Sequence, residues 1–356
     1  MFFSLGYADE LLQAAEQGSA DTRDAITVER AALERVAAVT FPDAGAVSVA
    51  EEPLAGDGGL SYVVTTTDPD RRAVFKLAPS DAAATLRTGV RAYDRLSRVP
   101  NVPVPAVYEL DTSEERLPYP YSVVEHVGGD ELDEVSQFLA YATERKRTLV
   151  RAMARTLGSL HERTDLDRYG SLSADGEGDD WASFYTDHYR EHADGAADSP
   201  VADLADEALA FFERAAADLE GPPAPALLHG DYTPDNLVIR EDEVRAVLDW
   251  EHAKAGDPAW EAWKTTENVV NVFDGEERAT LRDALAEGYR AAAAPSNAFR
   301  ARAATFAVAE FARVAGVRRV LANTDEAFDA ETFRWRAEAE LAARRERAES
   351  LLAQTA

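Results

Sequence analysis

One strand-like hairpin, set inside a long helical run, constrains this chain more than any other feature. LVIR (237–240) and RAVLDW (245–250) read as short strands flanking the turn EDEV, while nearly everything else after residue 128 repeats its apolar positions at helical spacing. The helical segments there include YATERKRTLVRAMARTLGSLHERT, DDWASFYTDHYREH, SPVADLADEALAFFERAAADL, PAWEAWKTTENVVNVF and a long Ala/Arg/Glu-rich tail. Before 128 the balance reverses. VSVAEEPLAGDGGLSYVVTTTDPDRRAVFKLAP reads as strands joined by a glycine-rich turn and by TDPDR, and PYPYSVVEHVGGDEL as a further strand. One helix interrupts them, with Leu86, Val90, Tyr93 and Leu96 along one side. The pattern predicts an α+β chain: a helical extension over 1–45, a small β-rich lobe over 46–127 and a larger, mainly helical lobe over 128–356.

The hairpin is unusually dense in polar groups, with His229, Asp231, Asp235, Asn236 and Asp249 around it. Pairing Arg240 with Arg245 sets Asn236 opposite Asp249, where Cβ atoms lie about 5 Å apart and an amide oxygen and a carboxylate can share one hard cation. Mg²⁺ suits such a site, because it takes few protein oxygens and completes its octahedron with phosphates and water. An ordinary hairpin with polar ends has the same spacing. Asp231 lies on the entering loop, where a carboxylate could accept a proton from a hydroxyl nearing a metal-bound phosphate. His229 reads as a residue that orders the loop, and Gly230 and Pro234 as residues that turn and stiffen it.

Composition narrows the partners. There is no cysteine, so disulfides, zinc thiolates and thiol nucleophiles are excluded. No apolar run of about 18 residues exists to span a bilayer, and the N-terminus has no signal-like pattern; the expected compartment is the cytoplasm. Asp and Glu number 66 against 37 Lys and Arg, a net charge of −29 that repels nucleic acid and anionic membranes. The acids are spread along the whole chain, and the only lysines are Lys76, Lys146, Lys254 and Lys264. That balance predicts adaptation to high salt, where at about 1 M the screening length is roughly 3 Å.

HGDYTPDN followed by VLDWEHAKAGDPAWE resembles the aminoglycoside phosphotransferase and choline kinase superfamily, relatives of the eukaryotic protein kinases. The Asp-x-x-x-x-Asn spacing matches the kinase catalytic loop, and LDW stands where those enzymes have Asp-Phe-Gly. The likeness runs from roughly 46 to 300. It implies a two-lobed protein-kinase-like fold with a nucleotide-binding small lobe, and an ATP- and Mg²⁺-dependent transfer of phosphate to a hydroxyl of a small molecule. Asp231 would be the catalytic base; Asn236 and Asp249 would hold the metal. Lys76, alone in the apolar strand AVFKL, would hold nucleotide phosphates as a point charge. Gly58, Gly59 and Ser61 would form the phosphate-covering loop, and backbone groups of Glu125, His126 and Val127 would meet the adenine edge. Asp257 would buttress the catalytic loop, or serve only as a helix N-cap; His161 would be structural.

The likeness also fails in places. The family usually pairs the strand lysine with a glutamate of the small-lobe helix, and here Gly89 occupies that position, with Asp81 and Asp94 as nearby substitutes. Glu261 stands where many relatives carry Asp. The missing glutamate motivates a competing reading, a catalytically weak nucleotide-binding regulator; a metal-dependent hydrolase would leave Lys76 unexplained. The acceptor pocket would draw on Trp181, Tyr185, Tyr189, Trp260 and Trp263, which are equally good core residues. Aminoglycosides, choline or ethanolamine, homoserine, methylthioribose, macrolides and ketosamines stay open, as does the oligomeric state.

Overall fold

The computed structural model describes residues 26–54, 59–131, 135–164, 166–172, 180–219, 223–313 and 330–355. Most of the anticipated first helical piece (8–25), and Gly58 of the glycine-rich turn, lie outside them.

Helix α1 (Arg30–Thr40) precedes the small-lobe sheet of β1 (Ala46–Val49), β2 (Leu60–Thr67), β3 (Arg71–Leu77), β4 (Val107–Asp111) and β5 (Tyr121–Glu125). The spatial order is β1-β2-β3-β5-β4, antiparallel throughout. These strands are rich in β-branched and aromatic residues, which suit a pleated surface with one buried face. That face (Val64, Ala73, Phe75, Leu77, Tyr121 and Val123) packs against Leu33, Val36 and Phe41, so α1 shares the small lobe's core. Period-two alternation along β3 turns Lys76 to the opposite face, toward the cleft. The small-lobe helix α2 (Ala83–Leu96) buries Leu86, Ala92, Tyr93 and Leu96.

In the large lobe, α3 (Thr143–Arg163) buries Leu149, Val150, Met153, Leu157 and Leu160, and α4 (Trp181–Gly195) and α5 (Ala202–Asp218) follow. Helices α6 (Pro258–Val269), α7 (Gly275–Ala292), α8 (Asn297–Ala309) and α9 (Ala330–Leu352) complete it. Two three-stranded ribbons are set among them. One has order β10-β9-β6, from β6 (Asp130–Glu131), β9 (Leu237–Arg240) and β10 (Glu243–Val247); the other has order β7-β11-β8, from β7 (Gly170–Ser171), β8 (Ala226–Leu228) and β11 (Lys254–Gly256). A single apolar cluster contains Ala92, Tyr93 and Leu96 of the small lobe with Leu149, Leu157, Val247, Trp250 and Leu281 of the large one. The two lobes are therefore joined by packed core as well as by chain.

The hairpin exists but its register differs from the expected one. Arg240 pairs with Glu243 around the two-residue turn Glu241–Asp242, whose φ values are +55° and +58°, and a bulge at Arg245 shifts the ladder. Two central residues in the left-handed region make the tight turn whose twist matches the strands. As a result Asn236 lies against Leu248, whose amide donates to the Asn236 carbonyl at 2.8 Å, and Asp249 falls one residue beyond.

Candidate active site

The loop from β8 to β9 carries HGDYTPDN and is held from beneath by one carboxylate. Glu261, 1% exposed in the first turn of α6, accepts the Gly230 amide at 2.6 Å and the His229 amide at 3.1 Å. It also contacts His161 Nε2 at 3.0 Å, while the other nitrogen of that ring meets the Tyr289 hydroxyl at 2.9 Å. Burial opposes ionisation of Glu261, but the His161 hydrogen bond and charge, the His229 ring and the Gly230 amide hold it below the usual carboxylate range. His229 is fully buried; its Nδ1 accepts the Asp231 amide at 3.2 Å, which leaves Nε2–H to donate to the Leu248 carbonyl at 2.6 Å. It fixes the loop and does not face the cleft. Gly230 has φ +87°, and a Cβ there would lie 2.4 Å from the His252 carbonyl oxygen, so only glycine fits.

Asp231 emerges from this support with 36% of its side chain exposed. One carboxylate oxygen accepts Asn236 Nδ2 at 3.2 Å; the other is 4.0 Å from Lys264 Nζ, which donates to the Gly230 carbonyl at 2.7 Å. Asn236 Nδ2 also donates to the Asp231 backbone carbonyl at 2.9 Å, so the amide oxygen of Asn236 is the end left for another ligand. Asp249 has φ +51° and follows Leu248 at the mouth of the hairpin. Asp235, between the two, has a buried oxygen Oδ1 with no hydrogen-bond partner among the described residues. Burial first, and then the charges of Asp231 and Asp249, push the Asp235 carboxyl up. Neighbouring carboxylates, an orphaned buried oxygen on Asp235 and the amide oxygen of Asn236 are hard donors, a set whose chemistry fits a divalent cation. No cluster of three or more histidine, aspartate and glutamate ligands closes round a point among the described residues, so the cation would need phosphate oxygens to complete its shell.

Lys76 reaches the same place from β3. Its Nζ donates to Asp249 Oδ1 at 2.5 Å and to Glu251 Oε2 at 3.5 Å. Against the cost of desolvation, the charges of Asp249 and Glu251 hold this ammonium above the usual lysine range. The partner expected from α2 is therefore replaced from the turn after the hairpin, and neither Asp81 nor Asp94 serves. A Cβ on Gly89 would sit 3.8 Å from the Trp250 carbonyl carbon and 3.9 Å from the Glu251 amide: the helix packs directly on that turn.

The other residues expected on the nucleotide side are only partly brought together. Ser61 pairs with Lys76 across β2 and β3. A Cβ on Gly59 would meet the Leu77 carbonyl oxygen at 2.3 Å, so strand approach already accounts for that glycine. Glu125 donates its amide to Ala106 and His126 its amide to Arg72, at 2.8 and 3.1 Å, so both are consumed within the sheet. Val127 keeps the backbone amide with no partner among the described residues.

The structure decides two alternatives that the sequence left open. Asp257 does not buttress the catalytic loop. It caps α6 through the Ala259 amide at 2.9 Å and accepts from Trp181 Nε1 at 2.9 Å and Arg302 Nε at 2.7 Å, tying α4, α6 and α8 together. The loop is buttressed by Glu261 instead. Trp181, Tyr185, Tyr189, Trp260 and Trp263 are at most 7% exposed and form core with Phe212 and Phe306. Only Trp260 touches the site, beneath Lys254 and Lys264, whose Nζ atoms lie 3.8 and 5.5 Å from its ring centroid.

Comparison with known proteins places this geometry. No curated protein matches the sequence. A Ralstonia eutropha JMP134 protein, provisionally assigned as an aminoglycoside phosphotransferase, is similar at 19% identity with TM-score 0.62, over 90% of this chain and 98% of its own. The aminoglycoside phosphotransferase APH(4)-Ia is similar at 14% identity with TM-score 0.57, over 92% and 100%. ADP-bound APH(2'')-Ib gives 14%, 0.52, and 90% and 99%. At such identities the likeness establishes the two-lobed, protein-kinase-like fold. Residues 51–304 match the phosphotransferase enzyme family, APH. With the match spanning most of its length, the chain belongs to that family.

Proposed function

We propose that this small-molecule kinase transfers the γ-phosphate of ATP to a hydroxyl of its acceptor, with Asp231 as base. The acceptor oxygen forms the new bond to γ-phosphorus as the bond to the bridging oxygen breaks; ADP leaves, and the hydroxyl proton passes to the Asp231 carboxylate. Asn236 and Asp249 would hold Mg²⁺ through the amide oxygen and the carboxylate, with the nucleotide's phosphates as the remaining ligands. The ion would neutralise charge on the β- and γ-phosphates. Lys76 would release its carboxylate partners for the α- and β-phosphates, and Val127 is the hinge amide best placed to meet adenine. An APH(4)-Ia variant, 15% identical, was solved as a ternary complex with AMP-PNP and hygromycin B, which supports a nucleotide and a hydroxylated acceptor sharing one cleft.

The observation that carries this reading is the Asp231 carboxylate, about one-third in solvent, oriented by Asn236 and set on a loop held by Glu261 and His229. Asp231→Asn should lower kcat by about 10³-fold while Mg·ATP still raises the melting temperature. Turnover within a few-fold of wild type would remove Asp231 from the mechanism. The weak-regulator reading loses its motive, because Lys76 has two carboxylate partners without a glutamate from α2.

A further inference from the structure

We propose that the acceptor carries a carboxylate or phosphate at its non-reacting end, and that Lys254, with Lys264 over the Trp260 indole beside Asp231, forms the subsite that takes it. This rests on the kinase reading and adds the acceptor's class to it.

A chain with four lysines and 33 arginines uses an ammonium only where something favours it. Lys76 has its carboxylates, and Lys146 is tied to Glu277 at 2.8 Å and to the Leu139 carbonyl at 3.0 Å. Lys254 and Lys264 lie on one aromatic ring at the foot of the catalytic loop. Lys254 sits in β11 directly across from Leu228, the residue before His229, and Lys264 lies one turn along α6 from Trp260. Lys254 has no carboxylate or side-chain hydrogen bond among the described residues. Burial, and then the neighbouring Lys264 charge, lower its ammonium to about 8.

The surroundings offset this charge only in part: the charges of Glu310 and Glu261 favour the Lys254 ammonium, but burial and Lys264 outweigh them. His188 and His192 approach from α4; His188 lies 6.4 Å from the Trp260 ring, and both are held below the usual imidazole range, chiefly by burial. Glu310, beyond α8, is paired with Arg313. Among the described residues, Asp231 is the carboxylate paired with Lys264, at 4.0 Å, and it is the group the acceptor hydroxyl must reach. If the role were only packing on an indole, arginine would serve at least as well, and the chain stacks Arg145 over Tyr141 at 4.1 Å elsewhere. An unpaired ammonium costs stability where it sits, and an anionic ligand would recover that cost. A polycationic acceptor would meet two like charges beside the base.

The test uses the full chain and alcohols matched except in charge: glycerol, glycerate, glycerol 3-phosphate, ethanolamine and one aminoglycoside. ADP release should be stimulated most by an anionic member, and comparing glycerate with glycerol 3-phosphate separates carboxylate from phosphate. In Lys254→Met the KM for that anion should rise about tenfold or more, in keeping with one lost charge-assisted hydrogen bond. Lys254→Arg should recover part of the loss, and KM for Mg·ATP should stay within about twofold of wild type. Preference for neutral or cationic acceptors, or a rise confined to KM for ATP, would overturn the subsite. Thermal shifts with glycerate and glycerol 3-phosphate alone separate the two ideas. Anion stabilisation of wild type but not of Lys254→Met, without turnover of any alcohol, would keep the subsite and sink the kinase reading. Turnover without such stabilisation or preference would do the reverse.

Discussion

Glu261 does more for the catalytic loop than any residue with a role in the chemistry. It answers two backbone amides that would otherwise be buried without partners, and it joins them through His161 to α7. Glu261→Gln exchanges an acceptor-only group for one that also presents N–H toward donors. It should cost about 3 kcal/mol, as breaking a buried charged network does, and should lower kcat at unchanged nucleotide binding; urea unfolding and ADP release read the two effects. The pH dependence follows from the same contacts. The folded carboxyl titrates below its unfolded value of 4.5, so the unfolded chain takes the proton first as pH falls. The stabilisation is complete above that value and is lost on acidification; the variant's acid transition should be correspondingly shallower. None of this was legible locally. Glu261 lies 31 residues from the amide it holds, and a first-turn acid on a helix is unremarkable. The meeting of Asp231 and Asn236 was legible because both stand on one short loop. For Asp257, from the same stretch as Glu261, the N-cap was legible but its other partners, Trp181 and Arg302, were not, because they are far away in sequence.

At the scale of elements, the strand and helix periods located the sheet, α2, the hairpin and the large-lobe helices, while register escaped. The expected four-residue turn overlooked that Glu241 and Asp242 can both take positive φ, a conformation that aspartate tolerates but glutamate rarely adopts. The bulge at Arg245 then moved Asp249 out of line with Asn236. The chain accepts a cost at this turn of roughly 1 kcal/mol per residue. Replacing Glu241 and Asp242 with Asn and Gly should therefore stabilise the fold by about 1 kcal/mol. A higher urea midpoint at unchanged kcat is the expected result; a lower midpoint would mean that the two acids interact with something the turn geometry does not reveal.

For the molecule as a whole, composition spoke clearly about charge and hardly at all about arrangement. No helix among the described residues is long and apolar enough to cross a membrane. The net −29 is spread over both lobes, and many arginines are paired at the surface, as in Arg71–Asp43, Arg334–Asp203 and Arg190–Glu213. Such pairs contribute little singly, so the excess acid should dominate at low salt. We expect the melting temperature to rise by about 5 °C or more between roughly 0.1 and 2 M KCl as self-repulsion is screened. A flat or falling midpoint would withdraw the reading of salt adaptation. That the lobes share one apolar cluster, and that Lys76 finds its carboxylates across the cleft, could be learned only from the fold.

The last of these contacts has a mechanical side. The lobes are hung on the chain near residues 126–127 and fastened again at a second point, where Lys76 of β3 grips Asp249 and Glu251. Beside the packed core the lobes share, this contact acts as a latch across the cleft. In the proposed mechanism an incoming nucleotide would have to lift the latch, since the ammonium that closes it is the one its phosphates would engage. On that proposal, nucleotide entry and lobe opening would be one event.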